Sequence, residues 1–414
     1  MKTPAGNTLQ YKGSHLSGVT TKSGAVAHFD SHGRAGTIKT ANGTVIQHGP
    51  RGERTVVRER ADHTRVVSYG GGRGYVQHSF TRGGRVYASR TYVYGGRTYT
   101  SVYRSYSYHG YGYYNYVPGF YYAPAFYGWG LAAWGPSVSF GWGWGGAPWY
   151  GYYGGYFAPA PYYPSPAFWL TDYIIAANLQ AAYAAQQQAA VNASGGGGGG
   201  EDEAAQSQGS PAITPEMKQL IADEVQRQLQ AERDAAGQPA AANGGDAGNG
   251  GGDANASASN DVPPPALDPK QSMFVVSASL DVPAGDDSCA LTSGDLIERL
   301  DDAPGDDNAV AVRVLSSKAK DCQTGTKPRV QVADLQEMSN DFREKIDQGL
   351  GSLAENQGKK GLPKGPAGHP TAVAEAKVDA DPNAVADLKA LQSDADQADA
   401  DVQQASSSSP GSGR

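Results

Sequence analysis

Between Val19 and Arg104, short runs alternating polar with β-branched or aromatic residues recur at intervals of about ten. Thr44-Val-Ile-Gln-His48, Arg54-Thr-Val-Val-Arg58, Thr64-Arg-Val-Val-Ser68, Gly74-Tyr-Val-Gln-His78 and Arg90-Thr-Tyr-Val-Tyr94 are such runs. Asp30-Ser-His-Gly33, Ala41-Asn-Gly43, Tyr69-Gly-Gly-Gly72 and Arg82-Gly-Gly84 supply turn residues between them. The pattern predicts an antiparallel hairpin meander over 19–104, with arginines on a wet face and Val or Tyr on a face that needs a cover. Residues 105–171, a Gly/Tyr/Trp-rich block, are the expected cover.

Beyond the block the period changes. An Ala/Gln-rich helix is expected over 172–194, with Ile174, Ile175, Leu179, Ala182 and Tyr183 on one stripe, and then a glycine linker at 195–213. Thr214-Pro215-Glu216 opens an amphipathic helix to 236, with Met217, Leu220, Ile221, Val225 and Leu229 on a narrow stripe. That stripe suits docking on the same chain better than a short coiled coil. A disordered linker at 237–267 precedes a small acidic β module at 268–350. Its expected strands are Met273–Leu280, Cys289–Thr292 with Asp295–Leu300, Ala309–Leu315 and Arg329–Val332, closed by a helix from Asp334 to Leu350. The Ala/Asp/Gln/Ser-rich tail, 351–414, reads as disordered or loosely helical. The fold class is therefore mainly β with accessory helices and long linkers.

Charge divides the chain more sharply than hydropathy does. Residues 1–104 carry 16 basic and 4 acidic groups, residues 105–171 carry none, and the remainder carries 18 basic and 37 acidic. A basic head seeks anionic surfaces, and the acidic tail can also fold back onto it. Arginine outnumbers lysine twelve to four in the head, favouring planar and bidentate contacts. Arg58, Arg65, Arg73, Arg85, Arg90 and Arg97, interleaved with Tyr75, Tyr87, Tyr92 and Tyr94, form the candidate polymer-binding set. Such a set suits an anionic cell-surface polysaccharide or peptidoglycan, nucleic acid with less support, or simply a solubilising sheet face.

No catalytic residue, metal site or cofactor can be nominated. Gly141-Trp-Gly-Trp-Gly-Gly146 matches a dinucleotide fingerprint, but Ala147-Pro148 follows where a helix must open. The head histidines, among them His28, His32, His48, His63 and His78, read as side chains beside arginines rather than as a metal ring. Asp301–Asn308 lacks calcium-loop spacing. Cys289 and Cys322 sit in one small module, where they either bridge, as an oxidising compartment would allow, or remain buried thiols.

Phe29-Asp30-Ser31-His32-Gly33-Arg34 resembles the Tyr-Asp-x-x-Gly-Arg core of YD repeats in large bacterial surface shells. The C-terminal module loosely resembles SH3-like barrels of bacterial envelope proteins. The whole order is similar to uncharacterised Gly/Tyr-rich bacterial cell-envelope proteins, a resemblance that carries no activity with it. It implies a non-enzymatic envelope or extracellular protein, adhesive or structural, with self-association through Tyr and Trp. The alternatives are a glycan- or peptidoglycan-binding module centred on 268–350 and nucleic-acid binding by the head. No stretch is long and apolar enough for a transmembrane helix. Met1-Lys-Thr-Pro-Ala-Gly6 lacks an apolar export region, so the placement assumes that an export signal lies ahead of this start.

Overall fold

The computed structural model describes residues 1–29, 33, 35–49, 53–70, 72–94, 96–194, 212–237, 262–285, 287–319 and 321–407. Eleven strands in chain order form one antiparallel sheet. They are β1 (Thr8–Lys12), β2 (His15–Thr20), β3 (Val26–Phe29), β4 (Ala35–Lys39), β5 (Val45–His48), β6 (Arg54–Glu59), β7 (Arg65–Gly70), β8 (Arg73–Arg82), β9 (Arg85–Tyr94), β10 (Arg97–Tyr108) and β11 (Tyr111–Val117). The mainly β class expected from the pattern is borne out. At one end of the sheet the turns repeat a local rule. Thr21 and Thr40 each accept, through Oγ1, the amide of the residue four positions on, at 3.0 Å. Gly24 and Gly43 supply the left-handed backbone between, at φ 86° and 82°, and His63 fills the same place at 61°.

The register aligns one side chain per strand into a row across the sheet: Leu9, Val19, Ala27, Ile38, Ile46, Val56, Ser68, Gly74 and Val93. Its apolar members are all buried. The cover is not the aromatic block but the C-terminal helix α6 (Ala384–Ser407), which contributes Ala384, Leu388, Leu391, Ala395, Ala398, Val402 and Ala405 to the same core. These helix positions alternate spacings of four and three, the 3.5-residue seam of a coiled coil laid on a sheet. The 24-residue helix, about 36 Å long, contacts strands from β9 to β2, which lie about 34 Å apart across the sheet. The tail expected to be disordered thus contains a docked helix; of that tail, 408–414 fall outside the described residues, as do most of the two expected linkers, 195–211 and 238–261.

The Gly/Tyr/Trp block divides: residues 105–117 complete β10 and add β11 to the sheet, past the expected end of the meander at 104, and the remainder packs into a second core with the long helices that follow it. After the two-residue strand β12 (Phe120–Tyr121) come two short helices, α1 (Pro124–Leu131) and α2 (Pro148–Tyr152), then α3 (Pro166–Ser194) and α4 (Pro215–Ala236). Phe126, Tyr127, Trp134, Trp149, Phe157, Tyr163 and Trp169 join Ile174, Leu179, Ile221, Val225 and Leu229 there. Of the α4 stripe, Ile221, Val225 and Leu229 are docked on the same chain with Met217 packed against them, while Leu220 is exposed. Asp172, fully buried, ties these parts together: it accepts from Tyr163 Oη at 2.7 Å and from Ala160 N at 2.6 Å, and pairs with Lys218 Nζ of α4 at 2.6 Å. A buried charge persists only when partnered in this way.

The C-terminal module contains β13 (Met273–Val275), β14 (Leu280–Ala284), β15 (Asp287–Leu291), β16 (Leu296–Arg299), β17 (Ala309–Ser316), β18 (Arg329–Gln331) and α5 (Val332–Asn356). One sheet runs β13-β16-β17-β18, and β14-β15 form a hairpin. Helix α5 joins the module to the rest, since Phe342, Ile346, Leu350 and Leu353 enter the aromatic core while Leu335 and Met338 enter the module core. At Gly349 an added Cβ would lie 2.5 Å from Leu170 Cδ2, so glycine permits the α3–α5 approach. A last two-residue strand, β19 (Thr371–Ala372), pairs with β12 and leads toward α6.

Candidate polyanion-contact surface

On β6 the arginines share the face of the valine row and do not lie opposite it. On β6, Arg54 and Arg58 flank Val56, so cations line both sides of the apolar row and make a trough. Helix α6 fills that trough with carboxylates. On one flank Asp387, Asp394 and Asp401, seven residues apart, meet Arg60 Nη2 (2.7 Å), Arg58 Nη2 (2.5 Å) and Ser23 Oγ (2.9 Å). On the other, Asp396 and Asp399 take the two ends of the Arg54 guanidinium at 2.5 and 2.7 Å, and His48 Nε2 lies 3.2 Å from Asp399. Ahead of the helix, His78 Nε2 is 2.7 Å from Asp381, whose amide donates to Thr91 Oγ1 at 2.8 Å. Burial pushes the Asp399 carboxyl up, but His48 and Arg54 outweigh it and hold it below the ordinary aspartate range. Asp381 is lowered for the same reason, with His78 and the Asn383 amide opposing burial.

The opposite face of β8–β11 is joined to α5. Arg90 is 2% exposed and bidentate to Glu337, with Nη1 to Oε2 at 2.6 Å and Nη2 to Oε1 at 2.8 Å, while Nε donates to Gln77 at 2.8 Å. Its guanidinium carbon lies 4.8, 4.2 and 5.3 Å from the ring centres of Tyr75, Tyr103 and Tyr114. Further along α5, Glu344 accepts from Ser101 Oγ (2.7 Å) and Tyr103 Oη (3.1 Å), and Asp347 accepts from Tyr116 Oη (2.8 Å). Burial first, then the neighbouring Glu232 of α4, pushes the Asp347 carboxyl well up.

From this packed region a ladder of tyrosine rings leads outward. Tyr69–Tyr75, Tyr75–Tyr92 and Tyr92–Tyr99 have centroids 6.3, 5.3 and 5.0 Å apart, the last pair stacked at 14°. It ends at the β9–β10 turn, where Tyr94 and Tyr99 are 52% and 44% exposed and Arg97, the register partner of Tyr94, is also exposed. Arg73 stands at the foot of the ladder with Nη1 donating to the Ala181 carbonyl at 3.0 Å.

The ten polymer-binding candidates therefore separate. Arg65, Arg73, Tyr75, Arg90, Tyr92, Tyr94 and Arg97 share the α5 face by register, and among them Tyr94 and Arg97 open to solvent. Arg90 and Tyr75 are buried and serve the interior. Arg58 is paired with α6. Arg85 and Tyr87 lie on the other face, where Tyr87 is 4% exposed and stacks on Phe80 at 5.4 Å. Tyr99, two residues beyond Arg97 on the same strand face and interleaved with the same arginines in the sequence, belongs to the open surface as well.

Among the described residues, the cleft beside these surfaces holds its hydroxyl and imidazole groups in structural bonds. A cleft of about 590 Å³ lies between the outer halves of β8 and β9 and residues 377–382, lined by His78, Phe80, Arg82, Ser89 and Thr91. His78 is committed on both ring nitrogens, to Asp381 and to Thr64 Oγ1 (3.2 Å), and Ser89 Oγ points to the His78 carbonyl at 3.5 Å, so the nearby hydroxyl is not activated. Among the described residues, no group of three or more His, Cys, Asp or Glu is placed to hold a metal ion, and no helix is long and apolar enough to cross a membrane. Cys289 and Cys322 are joined in a disulfide with Cα atoms 5.0 Å apart. The YD-like turn lies largely outside the described residues, although its flanking strands pair antiparallel from Val26–Lys39 to Phe29–Ala35.

Comparison with known proteins gives no family model, no curated protein and no solved structure that matches this chain.

Proposed function

We propose that this chain is a non-catalytic structural or adhesive protein of the cell envelope or exterior that contacts an anionic polymer through arginine and tyrosine. The observation that carries the reading is the Tyr94–Arg97–Tyr99 tip, exposed at the end of a ladder of tyrosine rings whose last pair is stacked and whose inner rungs are locked by Arg90 and α5. Rigid aromatic faces beside a guanidinium suit sugar rings that carry carboxylates, because stacking and charge pairing then act on one repeat unit. The disulfide supports an oxidising location. The Trp-rich block supports a scaffold role: none of its tryptophans is exposed, so it supplies a foundation instead of a sticky coat.

The test is binding to immobilised alginate, a polyuronate, with single-stranded DNA as the comparison polymer. The paired substitution Arg97→Ala/Tyr99→Ala should weaken alginate binding at least about tenfold while leaving the circular dichroism spectrum and melting temperature unchanged. Binding of the parent should fall as salt rises. Alginate affinity unchanged in the variant refutes the tip, and stronger binding to DNA than to alginate transfers the reading to nucleic acid.

A further inference from the structure

We propose that α6 exchanges between copies of this chain, so that the helix of one molecule fills the cationic trough of a second. The argument goes beyond polymer binding and rests on how the helix is held. Every element that α6 contacts extensively is a strand of the sheet: β2, β6, β7, β8 and β9. Its bonds are of two kinds, a seam of small apolar side chains and a set of charge pairs on both flanks. Both are fully reproduced when the identical helix arrives from another molecule, so exchange gives up none of these helix contacts.

The connection into the helix is built as a hinge. Upstream, the Arg82 guanidinium grips three carbonyls, those of Ala374 (2.5 Å), Glu375 (2.9 Å) and Lys377 (3.2 Å), and β19 is paired with β12. From there to Ala384 the chain spans the 590 Å³ cleft, with Asp381 as its pin to His78 and Thr91. The strap is thus fixed at its root and unpacked beneath. Six residues reach about 20 Å when extended, enough to turn the helix away from its own sheet.

Charge complementarity identifies the second occupant. The trough matches carboxylates repeating every seven residues, and α6 bears them at Asp387, Asp394 and Asp401. Closure within one chain benefits from an effective concentration on the order of millimolar. Exchange therefore prevails where copies are crowded, and dilute protein remains closed on itself. This route to self-association differs from one through the Trp-rich block, whose tryptophans are buried or half-buried against one another.

Ser23 Oγ and Asp401 Oδ2, 2.9 Å apart at the exposed end of the interface, provide the test in the full-length protein. One variant carries Ser23→Cys, a second carries Asp401→Cys with a size tag, and a third carries both. The two single variants are mixed over a range of concentrations and oxidised mildly, and the 23–401 linked peptide is read by mass spectrometry. Exchange yields a 23–401 heterodimer whose fraction rises with total concentration, by at least about fivefold between 10 µM and 1 mM if the millimolar closure estimate holds. The doubly substituted chain, linking within itself when dilute, establishes that the helix docks. Intramolecular linkage in that chain with no heterodimer at any concentration overturns the proposal. Absence of linkage in both experiments overturns it as well, because the docked helix itself would then be missing.

Discussion

Arg54 is the side chain on which the docking of α6 most directly depends. Its guanidinium is 8% exposed and bridges Asp399, itself 26% exposed, and Asp396, 62% exposed. Replacing it with alanine removes one partly buried charged hydrogen bond, about 1.5–3 kcal/mol. A mostly solvated second one adds no more than about 0.5 kcal/mol after screening. The expected loss in docking free energy is about 2–3 kcal/mol, which corresponds to about a 30- to 150-fold fall in amide protection when closing outpaces exchange. Hydrogen–deuterium exchange resolves this by segment. Peptides from 384–407 should lose protection, whereas those from β8–β10, anchored by α5 on the other face, should keep theirs. A double cycle with Asp399→Ala should return a coupling near the hydrogen-bond value. Unchanged protection in α6, or an equal fall in every segment, would refute the reasoning, the first because the bridge then contributes nothing and the second because helix and sheet then unfold as one unit.

Gly74→Ala should destabilise the protein by about 2–4 kcal/mol, because the new Cβ would lie 2.1 Å from the Val67 carbonyl oxygen and 2.7 Å from Leu388 Cδ2; urea denaturation checks it. Acid should release α6 before the rest of the fold. Asp381 and Asp399 have folded values below the ordinary one, so their contribution is present above about pH 4 and disappears as pH falls through the folded values. Segment-resolved exchange at pH 6 and pH 3 follows the release. Asp347 is shifted the other way, and its charge opposes folding as pH rises; Asp347→Asn should therefore stabilise more at pH 8 than at pH 4, as measured by denaturant midpoint. Replacing Cys289 and Cys322 with alanine opens a loop with a sequence separation of 33 and should cost about 3–4 kcal/mol, seen as a lower melting temperature than that of the oxidised parent.

The hairpins were legible because each strand is short, alternating and bounded by residues with turn chemistry, and these are local properties. Helix α4 was legible for a similar reason: Thr214 caps it through the Met217 amide, and Pro215 opens it. Helix α6 was not. Its seam includes alanines at 384, 395, 398 and 405, which carry little apolar signal, and its flanks are aspartates, so the composition matches that of a solvated tail. The charge asymmetry did indicate that tail and head attract one another, but the pairing of Arg58 with Asp394 needs the helical period and the strand register together. Arg90 illustrates the other limit. On its strand it looks like its neighbours, and only Glu337, 247 residues away, makes it an interior residue.

Lying across strands ties two unrelated rulers together. A hairpin widens the sheet by about 9.6 Å, two strand spacings, and a heptad lengthens the helix by about 10.5 Å. Growth by duplication is therefore neutral only in matched increments, one hairpin in the head for one heptad in the tail, far apart in the sequence. An unmatched insertion leaves either bare strands or an overhanging helix. Even matched increments drift by about 1 Å each, like the two scales of a vernier, so an architecture of this kind carries its own ceiling on length.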